Sequence, residues 1–431
     1  MSRLTMVLSL SALVASIGCP TPPAPDAGAG DDVGGLPVLD GGDPPGDAGA
    51  PSDDGGAGDG GAPADDGGAL ACTPADLADV GDPDRDRVVL VGHPFGAEVG
   101  TNGTEIRSLT LKVGSDLADD GVRLDVGFEP ARIELVPSGA FALVLGEAGE
   151  LASVRVRSAA DLAVVDQVTL PSAGYGDLRV SADGSEAFVV GSNVDGSSGV
   201  SVVRVACDGA LDVVTEAFFP LRLSESLAFL PGEQRAVLLG GQTVFEPIDD
   251  DDVRLLQRSG EGFTEVGAFD LYGDFIDALR IAVSPDGGTL LIPNGSPFSN
   301  EGSQVLVATL DGDSITESHR IQGMDDAREA LFSADGQTAL VTLLEPGKVV
   351  VLSDQGAGLA VANEIAGVGL AEHMAQVERG QLAGTVLVTS VGQHGELTTL
   401  GITGPGVVEE RDVLDLGAGG ENLPGALAVM Q

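Results

Sequence analysis

Three times between residues 177 and 342 the chain repeats one device: an apolar run, a Ser-[Ala/Pro]-Asp-Gly turn and a second apolar run. The copies are Asp177–Gly184 followed by Ser185–Ser192, Ile281–Gly287 followed by Gly288–Asn294, and Ala330–Gly336 followed by Gln337–Thr342. Asp can bond its own backbone in such a turn and Gly takes the positive φ, so each copy reads as a β-hairpin. Degenerate copies lie at Ile133–Gly139, Leu227–Gly232 and Met374–Gly380. Aligned on glycines 139, 184, 232, 287, 336 and 380, the period is 44 to 55 residues, and two further strands fit between successive hairpins. That length and strand count describe one four-stranded propeller blade.

Six hairpins leave one blade to find. Asp86–Gly92 reads as a second strand with no first strand before it, and Leu423–Met430 as a first strand with no second after it. Joined across the ring they complete a seventh blade, so the expectation is an all-β, seven-bladed β-propeller of four-stranded blades. Its ring is closed by the C-terminal strand, which leaves short, protected edges. The repeat string, with Ser284-Pro285-Asp286-Gly287 the nearest copy, resembles the YVTN/lactonase-like superfamily of bacterial propellers across about 84–431. The second strands lack the Tyr that family often carries. Trp is absent, which argues against WD repeats.

The first 71 residues have a different texture. Arg3 and an apolar stretch from Leu4 to Ile17 read as an export signal over 1–18, too short for a spanning helix, which needs ~20 residues. Ser16-Ile17-Gly18-Cys19 resembles the bacterial lipobox, although Ser16 stands where that pattern usually has Leu. The resemblance implies lipidation at Cys19, and Pro20 carries no inner-membrane retention signal. Residues 19–71 are almost entirely Pro, Gly, Ala and Asp, too poor in apolar surface to offset ordering entropy, and read as a disordered acidic spacer. The propeller domain is expected over 72–431. The expected location is therefore outside the cell, at the outer membrane or cell surface, with membrane contact only through the lipid. Cys72 and Cys207 remain for one candidate disulfide in an oxidising compartment.

A formal charge of −46, with Lys112 and Lys348 the only lysines, argues against general nucleic-acid binding and favours a soluble monomer. No GxSxG elbow, P-loop, HExxH or CxxC occurs in the sequence. Propellers place ligands where the innermost strands begin. Seven positions before the turn glycines stand Arg132, Asp177, Glu225, Arg280, Glu329 and His373, with Gly425 in the closing blade. Charged residues in otherwise apolar strands predict a ring at one mouth of the channel. That ring is either a site for a small polar ligand or partner protein, with a divalent cation as an option, or arginine and acid pairing one another. His93 and His394 are expected on one rim of adjacent blades, and Asp249–Asp252 in a solvated loop. No cofactor and no metal site are assigned. The leading reading is a surface-tethered, non-enzymatic binding or scaffold propeller. The alternative is an exported lactonase-like hydrolase working at the channel mouth, an activity that only the resemblance implies.

Overall fold

In the computed structural model the described residues run from 73 to 431, apart from short segments, chiefly 96–101, 193–197, 241–251, 273–277, 296–302 and 419–423. The segments expected to be signal and spacer, with Cys19 and Cys72, lie outside them. Seven four-stranded antiparallel sheets form the propeller. The innermost strands are Ala426–Val429 in blade 1, then Pro130–Leu135, Gly174–Val180, Ser224–Phe229, Ala282–Val283, Ala327–Phe332 and Leu370–Gln376 in blades 2 to 7. The ring closes as expected: Val89 pairs with Val429, Leu90 with Ala428, Val91 with Leu427 and Gly92 with Ala426.

Second strands are buried on both faces, which is why they read as unbroken apolar runs. Phe141–Gly146 and Thr338–Leu343 are buried at every position. Successive side chains on a strand point to opposite faces. Hence Ala142 and Val144 join the core between blades 1 and 2, whereas Leu143 and Leu145 join the core between blades 2 and 3. The same division yields seven apolar clusters, one at each blade interface.

The Ser-x-Asp-Gly turns are built alike. Ser284 Oγ donates to Asp286 Oδ1 at 2.6 Å and accepts from Thr289 N at 2.9 Å, while Gly288 N donates to Asp286 Oδ1 at 3.0 Å. Ser333 and Asp335 repeat the pattern in blade 6. The turns also lock neighbouring blades together. A Cβ on Gly287 would lie 2.9 Å from Pro231 Cδ of blade 4, and one on Gly336 would lie 3.2 Å from Pro285 Cδ of blade 5.

The outer edge is protected differently. In all seven blades the pairing of third and fourth strands shifts register partway along. A bulge there bends the edge strand and spoils it as a template for another chain.

A short helix, α1 (Pro74–Ala78), docks on the turn side of blades 2 and 3. Leu77 is buried in the cluster with Val136, Phe141 and Leu178, and its carbonyl accepts from Ser138 N at 2.7 Å. Cys207 packs against that cluster and is disulfide-bonded; the sequence's other cysteines, Cys19 and Cys72, both fall outside the described residues.

Two expectations need correction. Asp252 is buried rather than solvated, because its Oδ2 accepts from Leu271 N at 3.0 Å and Tyr272 N at 2.6 Å; Asp249–Asp251 lie outside the described residues. His93 is a buried residue within the strand Arg87–Phe95, paired in register with Glu105, and not a rim residue. His394 opens the strand His394–Gly404, and its side chain is outside the described set. Finally, the first strand of blade 5 is cut to Ala282–Val283, and just before it Arg280 bridges Glu329 of the neighbouring blade in parallel.

Candidate functional site at the channel mouth

Bulges in the innermost strands aim the channel residues. Blade 3 shifts register between Tyr175 and Leu178, blade 4 between Ser224 and Ser226, blade 6 between Ala327 and Ala330, and blade 7 between Ala371 and Met374. Asp177, Glu225, Glu329 and His373 therefore sit inside bulges, and Arg132 follows the shift that begins at Pro130 in blade 2. A bulge frees backbone groups as well as re-aiming side chains. Thr342 and Thr389, on the partner strands, meet that need. Their hydroxyls accept from Glu329 N and His373 N, each at 3.1 Å. Thr342 Oγ1 also donates to the Glu372 carbonyl at 3.1 Å, joining blades 6 and 7.

Arg280 is the hub of the cluster. Its guanidinium reaches Glu134 of blade 2 at 2.7 Å, Asp177 of blade 3 at 3.4 Å and Glu329 of blade 6 at 3.3 Å. Burial alone would lower its pKa; Glu134, Asp177 and Glu329 reverse that and hold it above the ordinary value. Asp177 is fully buried, bonded to Ser226 Oγ at 3.0 Å and Leu227 N at 3.1 Å, and paired with Arg179 at 3.1 Å. Burial would raise its carboxyl, but Arg179, Arg280 and Arg132 outweigh it and keep it below the usual range. Glu329 goes the other way: burial raises it in spite of Arg280, and its Oε2 accepts from Met374 N at 2.5 Å.

His373 is buried, with Nδ1 3.7 Å from Glu329 Oε2. Burial, together with Arg132 and Arg280, holds its pKa well below the ordinary value, so the imidazole is neutral near pH 7. Its neighbour Glu372 is half-buried, and burial pushes that carboxyl up to about 7 against the pull of Arg328 and Arg132. Arg328 is paired with Asp326 at 2.7 Å, and Arg132 donates to the Ala131 carbonyl at 2.9 Å.

Of the six residues expected at the mouth, five are brought into one electrostatic cluster: Arg132, Asp177, Arg280, Glu329 and His373. Glu225 is the inserted residue of its bulge, and its side chain lies outside the described set. Gly425 contributes no side chain, and Pro94 fills the space a Cβ there would need. Four further charges were not anticipated. Glu134 and Arg179 stand two residues beyond Arg132 and Asp177, on the same strand face, so period-two reading would have found them. Arg328 and Glu372 each precede an expected residue and share its bulge. Among the described residues, no three His, Cys, Asp or Glu side chains come together as a metal site.

No family model and no curated protein matches the chain. Solved structures match it well. A protein from Lactobacillus plantarum superimposes with a TM-score of 0.63 at 14% identity, over 80% of this chain and all of that one. The periplasmic gluconolactonase of Pseudomonas aeruginosa gives 0.62 at 16%, covering 80% and 99% of the two chains. A provisionally assigned 6-phosphogluconolactonase from Bacteroides uniformis gives 0.62 at 12%, covering 80% and 100%. At these identities the likeness is one of fold alone.

Proposed function

We propose that the protein is a non-enzymatic binding propeller, exported and tethered by a lipid at Cys19, with its ligand site at the channel mouth. The observation that carries this reading is Arg280 held by Glu134, Asp177 and Glu329. Those acids are committed to joining blades 2, 3, 5 and 6, and a carboxylate locked in a buried ion pair is a poor nucleophile or base. The bulged edge strands favour a monomer, and the charge of −46 keeps nucleic acid away.

Lactone hydrolysis is the second reading. It is favoured by Glu372, with a pKa of about 7, beside the neutral imidazole of His373. Such titration states suit a general acid and base, and the neighbours in fold include a gluconolactonase. Two measurements decide. Incubating the full chain with glucono-1,5-lactone should give no rate above the uncatalysed background; saturable hydrolysis lost in Glu372→Gln would replace the binding reading by the enzymatic one. Labelled fatty acid should be incorporated by the wild type in cells and not by Cys19→Ala; labelling of both would remove the tether.

A further inference from the structure

On the turn side of the ring, where the innermost strands end, one blade interface departs from the others. In blades 3, 5 and 6 the last turn residue is a glycine, Gly184, Gly287 or Gly336, with φ of 74°, 76° and 70°. Because glycine has no Cβ, the preceding blade can lay a proline on it: Pro137 on Gly184, Pro231 on Gly287 and Pro285 on Gly336. Between blades 2 and 3 helix α1 adds a second cover, for a Cβ on Gly184 would lie 2.9 Å from Leu77 Cβ.

Between blades 3 and 4 both members of this contact are exchanged. Ala182 stands where the other turns carry proline, and Glu233 takes the place of the glycine. Its amide donates to the Leu230 carbonyl at 2.9 Å, as Gly184, Gly287 and Gly336 donate to Ser181, Ser284 and Ser333 at 2.8 Å. Glu233 does this with φ of 54°, a conformation that favours glycine. Here the turns leave a recess of about 410 Å³, lined by Ser181, Ala182, Asp183, Glu186, Glu233 and Arg258 with the glycines 232 and 260.

The charges of the recess are unevenly satisfied. Arg258 forks onto Glu186 at 3.0 and 3.1 Å and lies over the rings of Phe188 and Phe263, 5.0 and 5.5 Å from their centroids. That cation and that acid are committed to each other. Asp183 Oδ1 accepts from Ser185 N at 3.0 Å and from the Ser181 and Ser185 hydroxyls at 2.7 Å, and Glu233 Oε1 accepts from Ala182 N at 2.8 Å. These bonds fall on one oxygen of each carboxylate, so the other keeps its acceptor capacity. Burial raises the Glu233 carboxyl against the Ala182 amide, and Asp183 and Glu186 add to the rise. The recess is therefore electronegative.

Shape and charge together select the occupant. The volume falls within the range of specific pockets, about 300–1,000 Å³. An anion would meet two like charges, and an apolar group would strip water from two carboxylates and return nothing. A guanidinium is planar and forked, so it can give separate N–H groups to carboxylates on two different blades. The adjoining interface shows what kind of molecule such a place receives: α1 is a piece of polypeptide, laid on Gly184 through Leu77 with its carbonyl bound by Ser138 N.

We infer that the recess between blades 3 and 4 docks an exposed segment of a partner protein through an arginine side chain received by Asp183 and Glu233. It lies at the opposite end of the innermost strands from the channel mouth and does not depend on what the mouth binds.

The test titrates the full chain with the capped peptide acetyl-Ala-Ala-Arg-Ala-Ala-amide at pH 7. Salt at roughly 0.15 M screens diffuse attraction to the acidic chain. Binding is read by calorimetry and by the amide shifts of Ala182 and Glu233. The same peptide with citrulline, equal in shape but uncharged, should bind about tenfold more weakly, the size of one charge-assisted hydrogen bond. Ala182→Pro with Glu233→Gly gives this interface the contact of its neighbours; the double variant should lose binding and melt no lower than the wild type. Asp335→Asn removes a charge from a turn that Pro285 already covers, and should leave binding unchanged. Binding retained in the double variant, or lost equally in Asp335→Asn, overturns the site. Equal binding of the citrulline peptide overturns the arginine. Methylguanidinium bound as tightly as the peptide would assign the recess to a small cation instead of a protein segment, and silence toward the peptide overturns the inference outright.

Discussion

Arg280 of blade 5 and Glu134 of blade 2 meet at 2.7 Å across the ring, so blades that are not neighbours are joined through the channel. The contact exists because the first strand of blade 5 is shortened to two residues, and Arg280 bridges to Glu329 instead of entering a ladder of its own. The cluster is at once a fastening and the floor of the candidate site.

Removing the fastening should be costly. Arg280→Met keeps the apolar stem but leaves Asp177 and Glu329 buried without their shared cation. Breaking one side of a buried pair costs about 3–5 kcal/mol. Urea unfolding at pH 7 should show a loss of that size, and a loss below about 1 kcal/mol would mean that solvent already satisfies the acids.

Much of the fold was legible because turn chemistry repeats at fixed spacing, and the glycines at 184, 287 and 336 do take φ of 74°, 76° and 70°. The half-blades at the two ends were legible by the same count. The site was legible in position but incomplete in content. A bulge slips the strand phase by one, so Arg328 and Glu372 join the cluster although strict alternation from Glu329 and His373 assigns them to the other face. Asp252 was misread because a run of four aspartates looks like loop composition; the two backbone amides it accepts come from residues 271 and 272, which sequence does not connect to it.

Glycine turns that look equivalent should differ in tolerance. Gly232 and Gly287 both have positive φ, 84° and 76°, so alanine costs roughly 1–2 kcal/mol at either through backbone strain. At 232 the added Cβ meets nothing within 4 Å, whereas at 287 it would lie 2.9 Å from Pro231 Cδ. Overpacking of that kind adds about 1–3 kcal/mol. Gly287→Ala should therefore be the more destabilising variant in thermal melts, and Pro231→Ala should recover part of the difference. Equal effects would show that the blades are not in contact there.

Glu372 gives stability a pH dependence of defined sign. Its ordinary value is 4.5 and its folded value about 7, so between these the folded state holds a proton that the unfolded state has released. Stability then falls as pH rises through this window, and the penalty is complete above about 7. The full shift corresponds to ~3 kcal/mol, and because the side chain is half-buried, solvent screening reduces this to on the order of 1–2 kcal/mol. Urea midpoints at pH 4.5, 6 and 8 should show wild type losing ground to Glu372→Gln as pH increases. Parallel curves would place the carboxyl in contact with bulk water.

Closure of the ring can be separated from ordinary edge packing by comparing two aliphatic side chains. Leu427 sits in the strand that completes blade 1, 6% exposed, packed with Val89, Val91 and Leu387 at the junction of blades 7 and 1. Val361 lies on the outermost strand of blade 6 and is 42% exposed. Truncating a buried leucine costs about 2–5 kcal/mol, while a surface change of Val361's kind falls within about 0.5 kcal/mol. Leu427→Ala should also speed proteolysis beyond its effect on equilibrium stability. Loosening this strand frees the inner edge of the second strand of blade 1 from Val88 to Gly92 and uncovers two interfaces together. If Leu427→Ala and Val361→Ala behave alike, the C-terminal strand is packing material rather than the latch of the ring.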